Sequence, residues 1–106
     1  MPKGVFVAIT NPVSPEREAE YNEWYEGTHL PEVLAVDGFV SAKRYRAVDG
    51  VAPKYMAVYE LDSEDLAGAI QGLMKAGAEG KLTQSTASDR NFQKMRIYEL
   101  VADSEA

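Results

Sequence analysis

Residues 5–10 are apolar at nearly every position, with Val5, Val7 and Ile9 alternating against Phe6, Ala8 and Thr10. This pattern predicts a central β-strand covered on both faces. Asn11-Pro12 ends it. Ser14-Pro15-Glu16 then supplies a hydroxyl cap, a proline at the first helical position and an acid in the first turn, so a helix is expected over 15–27. Its period places Tyr21, Trp24, Tyr25 and Thr28 on one stripe and Glu16, Glu20 and Glu23 on the opposite, solvated face. Gly27 weakens the helix and Pro31 disfavours the α conformation at Leu30. A break is therefore expected at His29, followed by a short helical turn over 31–36 that Asp37-Gly38 closes.

A second strand is expected over 39–48, with Phe39, Ser41, Lys43 and Tyr45 on one face and Val40, Ala42, Arg44 and Arg46 on the other. Its polarity marks it as an edge. After a turn over 49–53, residues 54–61 set Tyr55, Ala57, Tyr59 and Leu61 against Met56, Val58 and Glu60, which completes a hairpin. Ser63-Glu64-Asp65 caps a second helix whose Leu66, Ala67, Ile70, Leu73, Met74 and Gly77 form an amphipathic stripe. Residues 78–91 are small and polar and read as a loop with one helical turn. A last strand is expected over 92–101, Lys94, Arg96 and Tyr98 alternating with Met95, Ile97 and Glu99, before a short acidic tail.

The order is β-α-β-β-α-β, an α+β chain of ferredoxin-like type, with both helices on one face of an antiparallel sheet in the spatial order 4-1-3-2. Phe6, Ala8, Tyr45, Tyr55, Tyr59 and their alternates are more apolar surface than one helix-covered face can take. Some of it is left open, and a second copy packing sheet against sheet is the expected cover.

At 106 residues the chain is expected to be a single domain over 1–106. With 11 Lys plus Arg against 17 Asp plus Glu, the formal charge of −6 argues against a non-specific grip on nucleic acid or an anionic membrane. The absence of Cys removes disulfides, thiolate nucleophiles and Cys-based metal sites. The amino-terminal residues lack the apolar core of a signal peptide, and no apolar run approaches the roughly 18 residues of a membrane helix. The cytoplasm is the expected location.

Candidate chemistry gathers between Tyr21 and Arg46, which hold the only Trp, the only His and three of the six Tyr. His29 is the natural general acid–base, since its ordinary pKa lies near neutrality. The alternative is a ring that caps a broken helix end through a backbone hydrogen bond. Tyr21, Tyr25, Tyr45, Tyr55 and Glu32 are candidates to orient or relay for it. The Tyr21, Trp24, Tyr25 stripe is more often core than pocket, because aromatic residues at helical spacing pack well against a sheet. Arg44 or Lys43 suits a carboxylate or enolate oxygen, although edge strands also carry such residues to discourage pairing. Glu26, His29 and Glu32 are a weak metal set, nothing beyond His29 asks for haem, and no metal or cofactor is expected.

Trp24-Tyr25-x-x-x-His29-Leu30-Pro31-Glu32, followed by Gly38-Phe39-Val40-Ser41-Ala42-Lys43-Arg44-Tyr45, resembles the dimeric α/β-barrel superfamily, specifically its EthD-like members. The resemblance implies two ferredoxin-like protomers closing into a barrel. Each would hold a pocket between sheet and helices, lined by aromatic residues and by His29. Such relatives include cofactor-free monooxygenases, polyketide cyclases, decarboxylases, dehydratases, haem-degrading enzymes and accessory proteins, so the fold does not choose the reaction. The expectation is a cofactor-independent enzyme acting on an apolar, aromatic or polyketide-like carbonyl compound. His29 and Tyr25 would be catalytic, with Tyr21, Trp24, Glu32, Arg44, Tyr45 and Tyr55 holding substrate. The alternative is a homodimer that binds a small apolar ligand without chemistry.

Overall fold

The computed structural model describes residues 3–106. Strands β1 (Lys3–Thr10), β2 (Phe39–Arg46), β3 (Tyr55–Asp62) and β4 (Lys94–Glu99) form one antiparallel sheet in the order β2-β3-β1-β4, as the pattern predicts. A 3-10 turn (Pro15–Arg17), α1 (Glu18–Trp24), a π turn (Tyr25–His29) and α2 (Leu30–Leu34) run in succession over one face, joined there by α3 (Leu66–Ala78). Ser14 makes no side-chain cap, so the proline-led start is 3-10 before it is α. Asp65 does cap α3, its Oδ1 accepting from the Gly68 N–H at 2.9 Å.

The two central strands turn Phe6, Ala8, Thr10, Tyr55, Ala57, Tyr59 and Leu61 toward the helices, all buried. The aromatic and small residues of β1 are thus the core face, while Val5, Val7 and Ile9 look outward. They share that open side with Met56 and Val58, all half-buried by their neighbours alone. On α3 the buried residues are Ala69, Leu73 and Ala76. The stripe is rotated from the expected one, leaving Met74 68% exposed. The segment after α3 contains turns but no helical turn. It is strapped to the start of the chain by Val13 N–H to Ala87 O (2.7 Å) and Asp89 N–H to Asn11 O (2.9 Å).

One irregularity decides which residues of β2 face inward. Phe39 pairs with Leu61, but Ser41 pairs with Glu60, so a β-bulge sits between them and shifts the alternation by one. Ala42, Arg44 and Arg46 therefore lie opposite Tyr59, Ala57 and Tyr55 on the helix side, together with Phe39. Tyr45 goes to the open side and is 48% exposed.

Candidate functional site

The chain does not break at His29. Leu30 keeps right-handed helical angles (φ −57°, ψ −49°), and its N–H reaches back to the carbonyl of Tyr25, five residues earlier. In a regular α-helix the Pro31 ring would press on the carbonyl four residues before it. The wider π turn gives it room, and the helical path continues into α2. Such turns recur at functional sites, since one extra residue per turn rotates the side chains beyond it. Here the His29 ring stacks on Trp24, five positions earlier, at 4.8 Å and 29°. It meets Tyr25 edge-on, also at 4.8 Å.

His29 lies on the wall of a cavity of about 230 Å³ between the sheet and the helices. Phe6, Ala8 and Thr10 of β1 and Tyr59 of β3 form its floor, and Trp24, Tyr25 and Val33 stand beside the histidine. Leu73, Met74 and Gly77 of α3 close the far side. The Nδ1 atom of His29 is buried and has no hydrogen-bond partner, so the ring is not a helix cap. Burial holds its pKa below the ordinary 6.5, partly offset by Glu32 and reinforced by Arg44. A neutral imidazole at neutral pH follows.

Thr10, Tyr25 and Tyr59 bring hydroxyl-bearing side chains to the same cavity. The Tyr59 OH donates to the Tyr25 OH at 3.3 Å, and Thr10 and Tyr21 share a hydrogen bond. Burial raises the pKa of Tyr25 and of Tyr59, and pushes Tyr21 up to about 12. These phenols stay protonated and act as donors. Behind Tyr25 lies the Arg44 guanidinium, its carbon 4.3 Å from the Tyr25 ring centre, 4.7 Å from Tyr55 and 5.5 Å from Tyr21. Its side chain is 9% exposed, and Nη1 donates to Glu26 Oε2 at 2.8 Å. Nε and Nη2 are buried without partners other than the ring faces.

Among solved structures, the chain is similar to an EthD family protein from Bacillus halodurans C-125 (20% identity, TM-score 0.62, covering 95% of this chain and 100% of that one). A proposed monooxygenase from Shewanella loihica PV-4 is 18% identical, with a TM-score of 0.61 over 97% of this chain and 99% of its own. A dimeric ferredoxin-like protein of unknown function from Thermobifida fusca YX follows at 14% identity and a TM-score of 0.53, covering 93% and 92%. The chain shares the ferredoxin-like fold of these structures. No protein-family model and no curated protein matches the sequence.

Within this ferredoxin-like fold the expected site residues divide into two groups. Trp24, Tyr25 and His29 line the cavity. Tyr21 is fully buried behind them, a core residue tied to Thr10. Tyr55 is turned away, its OH donating to Glu18 Oε2 at 2.5 Å and accepting from Asn22 Nδ2 at 3.1 Å. Glu32 faces outward and accepts from the Thr83 N–H and hydroxyl, both at 2.7 Å. Arg44 faces inward but is separated from the cavity by the Tyr25 ring, and Tyr45 is on the opposite face of the sheet. Glu26, engaged with Arg44, and Glu32, engaged with Thr83, do not converge on His29 as ligands.

Thr10 and Tyr59 went unsuspected as site residues. Their strand alternation put them on defined faces, but only the choice of covered face brought them beside His29. Arg90 and the neighbouring polar residues came from a stretch with no periodic signal at all.

Proposed function

We propose that this protein is a small enzyme that moves a proton on an apolar aromatic or polyketide-like carbonyl compound, using its own side chains without a cofactor. The observation that carries the reading is His29: a half-buried, neutral imidazole whose Nδ1 is buried and unpartnered, on the wall of an aromatic-lined cavity. A structural histidine normally satisfies its ring nitrogens.

In this reading His29 takes a proton from the carbon next to the carbonyl. The Tyr25 hydroxyl, which accepts from Tyr59 and so has its own proton free, donates to the oxygen as negative charge develops there. Trp24 and Phe6 exclude water, which strengthens both interactions. The resulting enolate is the common branch point for elimination, cyclisation and oxygenation by O2, and decarboxylation reaches the same kind of enolate by loss of CO2 in place of the proton, with His29 then returning a proton to carbon. The working form is a homodimer in the cytoplasm, paired through the open sheet face that carries Val5, Val7, Ile9, Met56 and Val58.

The test is hydrogen–deuterium exchange at the methyl group of 2-acetonaphthone in D2O, followed by NMR. Wild-type protein should accelerate exchange, and His29→Ala should lose about 100-fold or more of that acceleration while still binding the ketone. His29→Gln, which keeps polarity but not basicity, should behave like His29→Ala. Exchange that is as fast in both variants as in wild type would sink the mechanism and leave a binding protein.

A further inference from the structure

None of the residues lining the cavity is Asp or Glu, in a chain with 17 acidic residues and a formal charge of −6. Arg90 is the one Lys or Arg among them. It is exposed and belongs to none of the ion pairs among the described residues. The acid next to it in sequence is occupied, Asp89 Oδ1 accepting from the Asn91 N–H at 2.9 Å. The lining is also graded. Phe6, Val33, Tyr59 and Leu73 are buried at the inner end, whereas Gln84, Arg90 and Gln93 are exposed at the mouth. Arg44, behind Tyr25, is paired with Glu26, which leaves Arg90, among the described residues, as the unpaired cation that faces the cavity.

We infer that the cavity takes an anion: a ligand with an apolar, ring-bearing body at the inner end and a carboxylate at the mouth, against Arg90. The inference rests on the proposed function and narrows its substrate to carbonyl compounds that also carry an acid group. An acid-free lining avoids the like-charge repulsion that most of this protein's surface would impose on such a ligand. A guanidinium fork matches a carboxylate with two parallel hydrogen bonds. The carboxylate at the mouth stays hydrated, so the deeper imidazole remains free for proton transfer.

Calorimetric titration with 2-naphthoate and with 2-naphthamide, a neutral amide of nearly the same shape, separates charge from fit. The His29 imidazole NMR signal reports whether the probe reaches the cavity. Wild-type protein should bind naphthoate about fivefold more tightly than naphthamide at low salt, with the preference shrinking as salt is added. Arg90→Gln should lose the preference and keep its affinity for naphthamide, and both probes should shift the His29 signal. Equal affinities in wild type, a preference that survives in Arg90→Gln, naphthoate binding that leaves His29 unmoved, or no binding of either probe would overturn the inference. Proton transfer stands or falls separately in the exchange assay. A wild type that prefers naphthoate but exchanges 2-acetonaphthone no faster than His29→Ala would remove the chemistry and leave the charge preference.

Discussion

His29, the only histidine in the chain, gives the site a reporter that needs no assignment. Its imidazole signal should titrate below 6.5, because burial disfavours the charged ring. Two neighbours pull on it in opposite directions, so their removal should move it in opposite directions. Glu32→Gln takes away a charge that favours the imidazolium, and the pKa should fall further. Arg44→Met takes away one that disfavours it, and the pKa should rise. Shifts of the same sign in both variants would contradict the placement of these charges. The consequence for stability follows from linkage. Because the folded state holds the His29 proton less tightly than the unfolded chain, the contribution of this residue falls as pH drops through 6.5 and levels off once pH is below the folded-state value. Chemical denaturation across that range should show a loss that His29→Gln removes.

The distinctive element is the helical run through the π turn. Aromatic spacing announced a helix with Tyr21 and Tyr25 inward, and both are buried. Proline and glycine rules then argued for a break that the chain avoids by widening one turn. Gly27 sits in that turn with open space where a Cβ would go and without a positive φ. Gly27→Ala should accordingly stabilise the protein by about 0.5–1 kcal/mol in thermal or denaturant unfolding. A loss of stability would mean that the π turn depends on glycine's freedom. Gly38 is the opposite case, with φ +93° and an added Cβ meeting the Ala69 side chain at 3.0 Å. Gly38→Ala should cost more than about 1 kcal/mol, through strain at the entry to β2.

For the whole molecule, the open side of the sheet matters most. Val7 and Val58 lie directly opposite each other at its centre, and Tyr45 and Tyr98, 48% and 45% exposed, extend the same face. Val7→Lys should turn a dimer into monomers in sedimentation or native mass spectrometry while leaving the circular dichroism spectrum unchanged, since the helix-side core is not touched. A variant that stays dimeric would place the interface elsewhere. Among the described residues no helix is long and apolar enough to cross a membrane.

Local patterning by itself determined the number and order of strands, the antiparallel sheet with β1 and β3 at its centre, the aromatic stripe of the first helix and the prominence of His29. Periodicity and turn chemistry encode these features within a few residues of one another. Only the tertiary structure decided which face of the sheet is covered. It selected Phe6, Thr10 and Tyr59 over Val5, Val7 and Ile9 and so set the cavity floor. Packing also decided the bulge after Phe39, which turns Arg44 under the tyrosines and Tyr45 away. The loop after α3 acquired its role in the same way. A period-2 pattern is symmetric between two faces until something packs against one of them, and a one-residue shift exchanges every side chain beyond it. Arg90 reached the cavity mouth through long-range backbone hydrogen bonds that leave no mark on local sequence.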